Sequence, residues 1–346
     1  MTTLLLSGLA VTAAVCASLT AAVIPLLRRA RVVDVPGDRS LHRTPVPRGG
    51  GLAIVLAASL ATWTAVLAAV HLQGAVHAMS GVDVALMGLA TVLAFALLGL
   101  IEDLFSVSVR ARLVLQLVLG AGLGLVAHSA FEVSLWWTPA ICVGTAALVN
   151  ATNFMDGANG LACGHALLTS LWYVQVAAVA SVAGLGLVMV SVAGACLGFL
   201  PFNTPRAKVF LGDSGSYALG SAWAFAVTAC LSRGVAVEAA LAPVLVLLAD
   251  TGYTLWMRLR AGQCWYAPHR LHVYQRLVCA GWPHWASALL VTLAAASCSA
   301  LAASSLLTSN RLWMPQVAMA AVLILYLKMP SIIGAPNPFP TLRRAR

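Results

Sequence analysis

The architecture of the chain is set by residues 85–131, ALMGLATVLAFALLGLIEDLFSVSVRARLVLQLVLGAGLGLVAHSAF. Two apolar runs of about 20 residues, each long enough to cross a bilayer as a helix, are joined by a short polar segment that begins with Glu102 and Asp103. The same alternation continues along all 346 residues. It predicts an all-α, polytopic bundle of transmembrane helices.

The composition indicates that the membrane is the solvent of this protein. Hydrophobic residues make up 61% of the chain and charged residues 9%, whereas soluble domains carry about 25% charged residues. A net charge of +10 would suggest a nucleic-acid partner in a soluble protein, but no basic-aromatic patch accompanies it, so none is expected. The eight cysteines form no CxxC pair, which argues against a zinc site or a disulfide framework.

Apolar runs predict about eleven spans within one membrane domain covering residues 1–346. They lie at about 3–27, 50–72, 83–101, 113–131, 134–152, 161–180, 182–202, 214–232, 235–257, 284–307 and 312–329. An odd number of spans puts the two termini on opposite sides. The first run is followed, not preceded, by basic residues, so we expect the N-terminus outside and the C-terminus in the cytoplasm.

Positive charge falls on every second polar segment. All but Arg233 and Arg311 of the 20 Lys and Arg residues lie in the C-terminal tail or in the predicted loops at about 28–49, 102–112, 150–160, 203–216 and 258–283. Basic loops stay in the cytoplasm. The candidate functional motifs occupy the same loops, so the working face of the protein is predicted to be cytoplasmic.

Acidic residues are informative because they are costly in hydrocarbon. Glu102 and Asp103 end the third predicted span, where adjacent carboxylates suit Mg²⁺ binding or proton transfer near a phosphate. The alternative is a pair of solvated charges partnered by Arg110 or Arg112.

A second motif, NATNFMDGANG, occupies residues 150–160. Asn150, Asn153 and Asp156 recur every three residues and would share one helix face, while the glycines let the backbone turn close to a ligand. Such amides and a carboxylate suit a hydrated cation and a nucleotide. Simple capping of a helix end is the alternative.

The motif FLGDSGS, residues 210–216, precedes the eighth predicted span. Free N–H groups at a helix start, together with the Asp213 carboxylate, would form a cradle for a metal-bound diphosphate. Asp213 would serve equally well as an N-cap.

Two further loops supply cations. HRLHVYQR, residues 269–276, places His272 and Arg276 four residues apart on one predicted helix face, and phosphates need such donors. The first loop, DVPGDRSLHRTPVPRGGG at residues 34–51, would bind an anionic headgroup. For both loops the alternative is plain topology-setting charge.

Taken in this order and between these spans, the five motifs resemble glycosyltransferase family 4, the polyprenyl-phosphate N-acetylhexosamine-1-phosphate transferases. This family includes the bacterial initiators of O-antigen synthesis and is related to the phospho-MurNAc-pentapeptide translocase. The resemblance covers roughly residues 30–280 and rests above all on DVPGDRSLH…PRGGG, NATNFMDG and FLGDSGS. It implies a multi-pass protein of the bacterial inner (cytoplasmic) membrane with its active site facing the cytoplasm.

The chemistry implied by the resemblance joins a soluble donor to a lipid acceptor. An N-acetylhexosamine 1-phosphate passes from a UDP-N-acetylhexosamine to undecaprenyl phosphate, UMP leaves, and undecaprenyl-diphosphate-sugar begins a lipid-linked O-antigen or cell-wall polysaccharide. The implied cofactor is Mg²⁺, with Mn²⁺ as the alternative, and a homodimer is expected.

The resemblance also implies roles for individual residues. Asp213 and Asn153 match the metal ligands, Glu102 and Asp103 match an Asp-Asp pair that deprotonates or orients the lipid phosphate, and His272 matches a histidine facing the diphosphate. The expected substrate-binding residues are Asp156 and Asn159 in the nucleotide region, Asn203 and Phe210 near the uracil, Arg270 and Arg276 for phosphates, and His42 and Arg48 in the first loop. Gln116 and Asp250 fall at family positions without an assigned role.

Two departures from the family pattern refine the expectation. Glu102 replaces the first aspartate of the acid pair and is one methylene longer, which makes Asp103 the better candidate for the chemistry. The histidine-rich signature is reduced to HRLHVYQRL, which resembles an O-antigen-type branch using UDP-GlcNAc or UDP-6-deoxy amino sugars. A lipid-linked sugar flippase and an inactive homologue are the competing interpretations.

Overall fold

Long helices alternate with short connections throughout the chain. They are α1 (Thr2–Arg29), α2 (Gly51–Gln73), α3 (Ala75–Phe105), α4 (Val109–Phe131), α5 (Thr138–Phe154), α6 (Leu161–Val179), α7 (Leu185–Asn203), α8 (Gly212–Ser232), α9 (Val237–Leu241), α10 (Leu245–Arg260), α11 (Val273–Cys279), α12 (His284–Ala302), α13 (Ser304–Leu307) and α14 (Met314–Ile332). One small antiparallel ribbon in the first loop joins β1 (Val33–Asp34) to β2 (Val46–Pro47), with Asp34 opposite Val46.

This computed structural model describes residues 2–36, 41, 44–73, 75–105, 107–264, 266–267, 269–307 and 313–336. His42, expected in the first loop as a substrate-binding residue, lies outside the described residues, as do Arg311 and the end of the C-terminal tail. The other residues expected at the site are all described.

The predicted helical membrane fold is confirmed. Within the described ranges, nine helical segments are long and apolar enough to cross a membrane. Helices α5 and α8 match two further predicted spans, but α5 has only 17 residues and α8 starts with the polar sequence GDSGS. The count of eleven spans therefore stays a prediction.

Helix α8 forms the centre of the bundle. Every residue from Gly212 to Cys230 is buried, and the helix packs against α2, α3, α4, α5 and α6. Small residues permit this because helices in a membrane associate by close van der Waals packing. A Cβ added at Gly220 would lie 2.7 Å from the Cα of Val149 in α5, so the two backbones are nearly in contact.

Two glycine contacts hold the start of α8 against its neighbours. A Cβ on Gly51, at the start of α2, would lie 2.3 Å from the Cα of Gly215. A Cβ on Gly99, near the end of α3, would lie 2.2 Å from the carbonyl oxygen of Asp213. Since neither space admits a side chain, α2 and α3 fix the position of the FLGDSGS motif.

The loops that carry the motifs meet at one end of the bundle. The Gly50 N–H donates to the carbonyl of Phe210 (2.9 Å), which joins the first loop to the α7–α8 connection. The Asn159 amide donates to the carbonyl of Pro205 (3.2 Å), which joins the α5–α6 connection to the same place. The motifs thus converge as the charge pattern predicts, while the cytoplasmic orientation of this end stays a prediction.

We expect the substitution Gly99→Ala to destabilise the protein. The new methyl group would overlap the carbonyl of Asp213, so α3 and α8 must separate, at a cost of about 1–3 kcal/mol. Gly122→Ala in α4 is the matched control, because nothing lies within 4 Å of a Cβ there; it should be neutral or stabilising by up to about 1 kcal/mol. Thermal unfolding in detergent, followed by circular dichroism, measures both, and equal stabilities of the two variants would contradict the close packing.

Candidate active site

A cavity of about 800 Å³ opens at the end of the bundle where the motif loops meet, a size typical of small-molecule sites. Its wall has a polar part and an apolar part. The polar part comprises Asp34, Arg48, Arg112, Asn150, Asn153, Asp156, Asn159, Asn203, Asp213, Arg258, His269 and His272. The apolar part includes Val109, Leu113, Ala147, Leu248 and Leu255, from α4, α5 and α10.

Asp103 anchors the start of α8. Its Oδ1 accepts the N–H of Asp213 (3.0 Å) and its Oδ2 accepts the N–H of Ser214 (2.9 Å). The first N–H groups of a helix lack intrahelical partners and carry partial positive charge, so a carboxylate placed there satisfies both groups. Asp103 is nearly fully buried, with 2% of its side chain exposed, and it belongs to α3. The acid pair and the FLGDSGS motif are thereby joined. The N–H groups of Asp213 and Ser214 are therefore not free to cradle a diphosphate as predicted, and Asp213 is not the N-cap of α8, a position that Leu211 occupies.

Arg48 bridges two of the carboxylates. Its Nε lies 3.0 Å from Oδ1 of Asp103, and its Nη2 lies 2.8 Å from Oδ2 of Asp213. Buried carboxylates need charged or hydrogen-bonding partners, and this guanidinium serves both. Arg48 thus joins the first loop to the motifs of α3 and α8, while binding of an anionic headgroup by this loop stays a prediction.

Asn153 completes the contacts of Asp213. Its Nδ2 donates to Oδ1 of Asp213 (2.7 Å) and to Oγ of Ser216 (3.0 Å). Asn150, one turn earlier on α5, also lines the cavity, and its amide donates to Oε1 of Gln116 in α4. The three-residue spacing therefore places both amides on the cavity side of α5, as predicted, but the prediction that Asp156 shares this helix face is wrong, because α5 ends at Phe154.

Asp156 lies just beyond the end of α5, in the α5–α6 connection, and lines the cavity. No side-chain hydrogen bond joins it to any residue that the structure describes. Burial raises its pKa well above the usual range; the charges of Asp213 and Asp103 act in the same direction, and Arg48 opposes them. A carboxylate at the cavity wall, without a hydrogen-bond partner among the described residues and beside two other carboxylates, favours the approach of a cation.

The oxygen donors fit the predicted Mg²⁺ site. Mg²⁺ is usually held by one or two carboxylates together with waters and substrate phosphates, and no three His, Cys, Asp or Glu side chains of the described ranges form a closed metal group. Asp213 and Asp156 supply two carboxylates at the cavity. Asn153 offers its amide oxygen after a rotation of 180°, an exchange that hydrogen-bonding assignment leaves open.

Glu102 closes the turn between α3 and α4. Its Oε2 accepts the N–H of Val107 (2.8 Å), and its Oε1 pairs with Nη1 of Arg112 (3.0 Å). The partnership with Arg112 that the sequence left open is thus observed. Neither Glu102 nor Asp103 is among the residues that line the cavity, and both reach it through an arginine that does. The role of this pair as a base stays a prediction.

The residues expected near the nucleotide lie close together, and their binding of a nucleotide stays a prediction. Asn203 is buried; its Oδ1 accepts the N–H of Gly160 (2.7 Å) and its Nδ2 donates to the carbonyl of Val209 (3.1 Å). It thereby ties the α5–α6 connection to the α7–α8 connection. Asn159 and Phe210 line the same cavity.

The cations of the cavity differ from those that the sequence favoured. His272 lines the cavity, but Arg270 and Arg276 do not, and Nη2 of Arg276 donates to the carbonyl of Pro336 (3.3 Å). Arg112 and Arg258 line it instead. Both occur in the sequence as ordinary loop charges, and no local pattern distinguishes them from topology signals.

Arg258 orders the loop after α10, and His269 of that loop affects the charge of the cavity wall. The guanidinium of Arg258 donates to the carbonyls of Cys264 and Ala267 and so orders the loop that leads to His272. Burial lowers the pKa of His269 to about 4, reinforced by His272 and Arg258. At neutral pH, His269 is therefore uncharged and adds no positive charge to the wall.

Comparison with known proteins agrees with this geometry. The family model described as glycosyl transferase family 4 matches residues 85–231. Over 307 residues the chain is 31% identical to the decaprenyl-phosphate N-acetylglucosaminephosphotransferase of Mycobacterium leprae, covering 78% of this chain and 75% of the relative.

Two other relatives come from different genera. The chain is 27% identical over 290 residues to the probable undecaprenyl-phosphate N-acetylglucosaminyl 1-phosphate transferase of Bacillus subtilis, covering 78% of this chain and 77% of the relative. It is 33% identical over 235 residues to the phospho-N-acetylmuramoyl-pentapeptide-transferase of Desulforudis audaxviator, covering 57% and 68%. With its motifs gathered around one cavity and relatives matched over most of their length, the chain belongs to glycosyl transferase family 4, the polyprenyl-phosphate N-acetylhexosamine-1-phosphate transferases.

Proposed function

We propose that this protein transfers an N-acetylhexosamine 1-phosphate from a UDP-sugar to a polyprenyl phosphate, with undecaprenyl phosphate as the expected carrier. An oxygen of the lipid phosphate attacks the sugar-bearing phosphorus of the donor. The bond from that phosphorus to the oxygen of UMP breaks, UMP leaves, and a polyprenyl-diphosphate sugar forms.

The supporting observation is the two-part wall of the cavity. Carboxylates, amides and arginines line one part, and apolar side chains of α4, α5 and α10 line the other. A reaction between a water-soluble nucleotide sugar and a lipid phosphate needs both kinds of surface next to each other. A flippase would instead need its polar residues near the middle of the bilayer.

The residues of the wall divide the work between positioning and charge neutralisation, which dominate phosphoryl transfer. Arg48, Arg112 and Arg258 face phosphates, while Asn159 and Phe210 face the nucleotide. Asp213, Asp156 and Asn153 would hold Mg²⁺, or Mn²⁺ in its place, and the bound metal would neutralise the charge of the donor diphosphate.

The branch of the family that this sequence resembles supports a choice of donor and pathway. The signature HRLHVYQRL supports an O-antigen-type donor, UDP-GlcNAc or a UDP-6-deoxy amino sugar, and the relatives named for N-acetylglucosamine make UDP-GlcNAc the first candidate. Decaprenyl phosphate, named in the mycobacterial relative, is the alternative carrier. We further propose that the protein works as a homodimer in the bacterial inner membrane, with the cavity facing the cytoplasm.

The purified protein should release UMP when it is given Mg²⁺, undecaprenyl phosphate and a UDP-N-acetylhexosamine. A coupled assay for UMP, run over a panel of donors, measures the reaction. EDTA should abolish the release, because the donor diphosphate then lacks its counter-charge, and added Mg²⁺ or Mn²⁺ should restore it. Omission of the lipid controls for simple hydrolysis. Absence of UMP with every donor and both polyprenyl carriers would refute the proposal.

Asp213→Asn should lower kcat/KM for UMP release by about 10²- to 10³-fold, the range seen when one charge-stabilising group is removed. The amide keeps the shape of the side chain but loses the charge that both Arg48 and a metal require. Asp83→Asn is the matched control: it makes the same change at an exposed position of α3 on the opposite half of the bundle and should leave kcat/KM unchanged. An equal, small effect of both substitutions would rule out a metal or charge role for Asp213.

A further inference from the structure

Asp250 is a buried acidic residue with many hydrogen bonds, and the proposed mechanism gives it no role. It lies in the middle of α10, its side chain is fully buried, and it does not line the cavity. An acidic group inside a membrane helix is costly unless it is paired or functional. The contacts of this carboxylate indicate whether it is paired, functional or both.

Five hydrogen bonds reach Asp250: four come from N–H or O–H donors, and the fifth joins it to a ring nitrogen of His272. Oδ1 contacts Nδ1 of His272 (3.1 Å), Oγ1 of Thr254 (3.2 Å) and the N–H of Val273 (3.2 Å). Oδ2 accepts the same N–H (3.0 Å) and the hydroxyl of Tyr326 in α14 (2.7 Å). Helices α10, α11 and α14 therefore meet at one carboxylate.

The contact with His272 determines the tautomer of that ring. An ionised carboxylate can only accept hydrogen bonds, so pairing with an ionised Asp250 places the proton on Nδ1 and leaves Nε2 with its lone pair when the imidazole is neutral. The ring lies between Phe154 and Tyr274, with centroid distances of 6.0 Å and 6.2 Å, and His272 lines the cavity.

We propose that Asp250 is the positioning residue of His272: by holding Nδ1–H it fixes the tautomer and directs Nε2 toward the phosphate groups of the substrates. The proposal rests on the proposed function for the identity of those substrates. Tyr326 acts one step further away, because its hydroxyl holds the carboxylate oxygen opposite His272. The same logic of carboxylate, imidazole and reacting group governs hydrolytic triads, where loss of the carboxylate leaves the wrong tautomer.

A double-mutant cycle separates this role from a purely structural one. Asp250→Asn should lower kcat for UMP release by about 10- to 100-fold, the range for groups that orient a functional histidine, while KM for the UDP-sugar changes much less. His272→Ala should lower kcat at least as far. The double variant should be no slower than His272→Ala alone, because a positioning residue has no effect once its target is absent.

Tyr326→Phe and Tyr173→Phe form a matched pair. Both tyrosines are buried and each donates one hydroxyl hydrogen bond, Tyr326 to Asp250 and Tyr173 to the carbonyl of Ala240. Tyr326→Phe should reduce kcat severalfold, less than Asp250→Asn, whereas Tyr173→Phe should leave it unchanged. If the losses from Asp250→Asn and His272→Ala add, or if Asp250→Asn lowers only the unfolding temperature, Asp250 is a structural tie and the inference is overturned.

A second measurement does not depend on turnover. In protein labelled with ¹⁵N-histidine, the signals missing from the His272→Gln variant identify His272, and they should report protonated Nδ1 and unprotonated Nε2. Asp250→Asn should shift this pattern, while Tyr173→Phe should not. An unchanged tautomer in Asp250→Asn would overturn the inference even if no donor had yielded UMP, which separates its failure from that of the proposed function.

Discussion

The contact on which the site depends is the capping of α8 by a carboxylate from α3. Asp103 receives the N–H groups of Asp213 and Ser214 at 3.0 Å and 2.9 Å, and Arg48 adds a charged bond to the same group. The contact needs the close packing at Gly99 and Gly51, because any Cβ there would separate the helices. Three segments far apart in sequence thereby meet within one hydrogen-bonded cluster, and the cavity opens beside it.

This cluster holds more carboxylates than cationic side chains, which favours the binding of a cation. Asp103 and Asp213 lie close enough to raise the pKa of Asp156, and Arg48 pairs directly with Asp103 and Asp213. Burying like charges together is costly, and a bound Mg²⁺ would relieve that cost. The negative charge of these carboxylates also repels phosphates, so a phosphate can bind nearby only if cations neutralise it. A bound metal and the arginines of the wall together would supply that positive charge to a substrate diphosphate.

Local patterns predicted most of the residues in the site. The spacing of Asn150 and Asn153 on α5 and the Gly-Asp start of α8 predicted residues that line the cavity, since each pattern depends on the geometry of a single helix. Arg112, Arg258 and Asp250 were not predicted in the same way. Arg112 pairs with Glu102, Arg258 donates to two loop carbonyls, and Asp250 contacts His272 and Tyr326. Several of these partners lie in other segments, so no periodicity in the sequence relates them.

The amino-acid sequence by itself determined the helical membrane fold, the segments that carry the motifs and the family. Apolar run length and loop charge are properties of contiguous residues, and transfer from water to lipid acts on each run separately. The tertiary structure alone decided which groups meet: that Asp103 caps a helix, that Arg48 joins two carboxylates, and that Asp250 holds His272. These contacts follow from how α3, α8, α10 and α14 pack, and packing depends on side chains distant in the sequence.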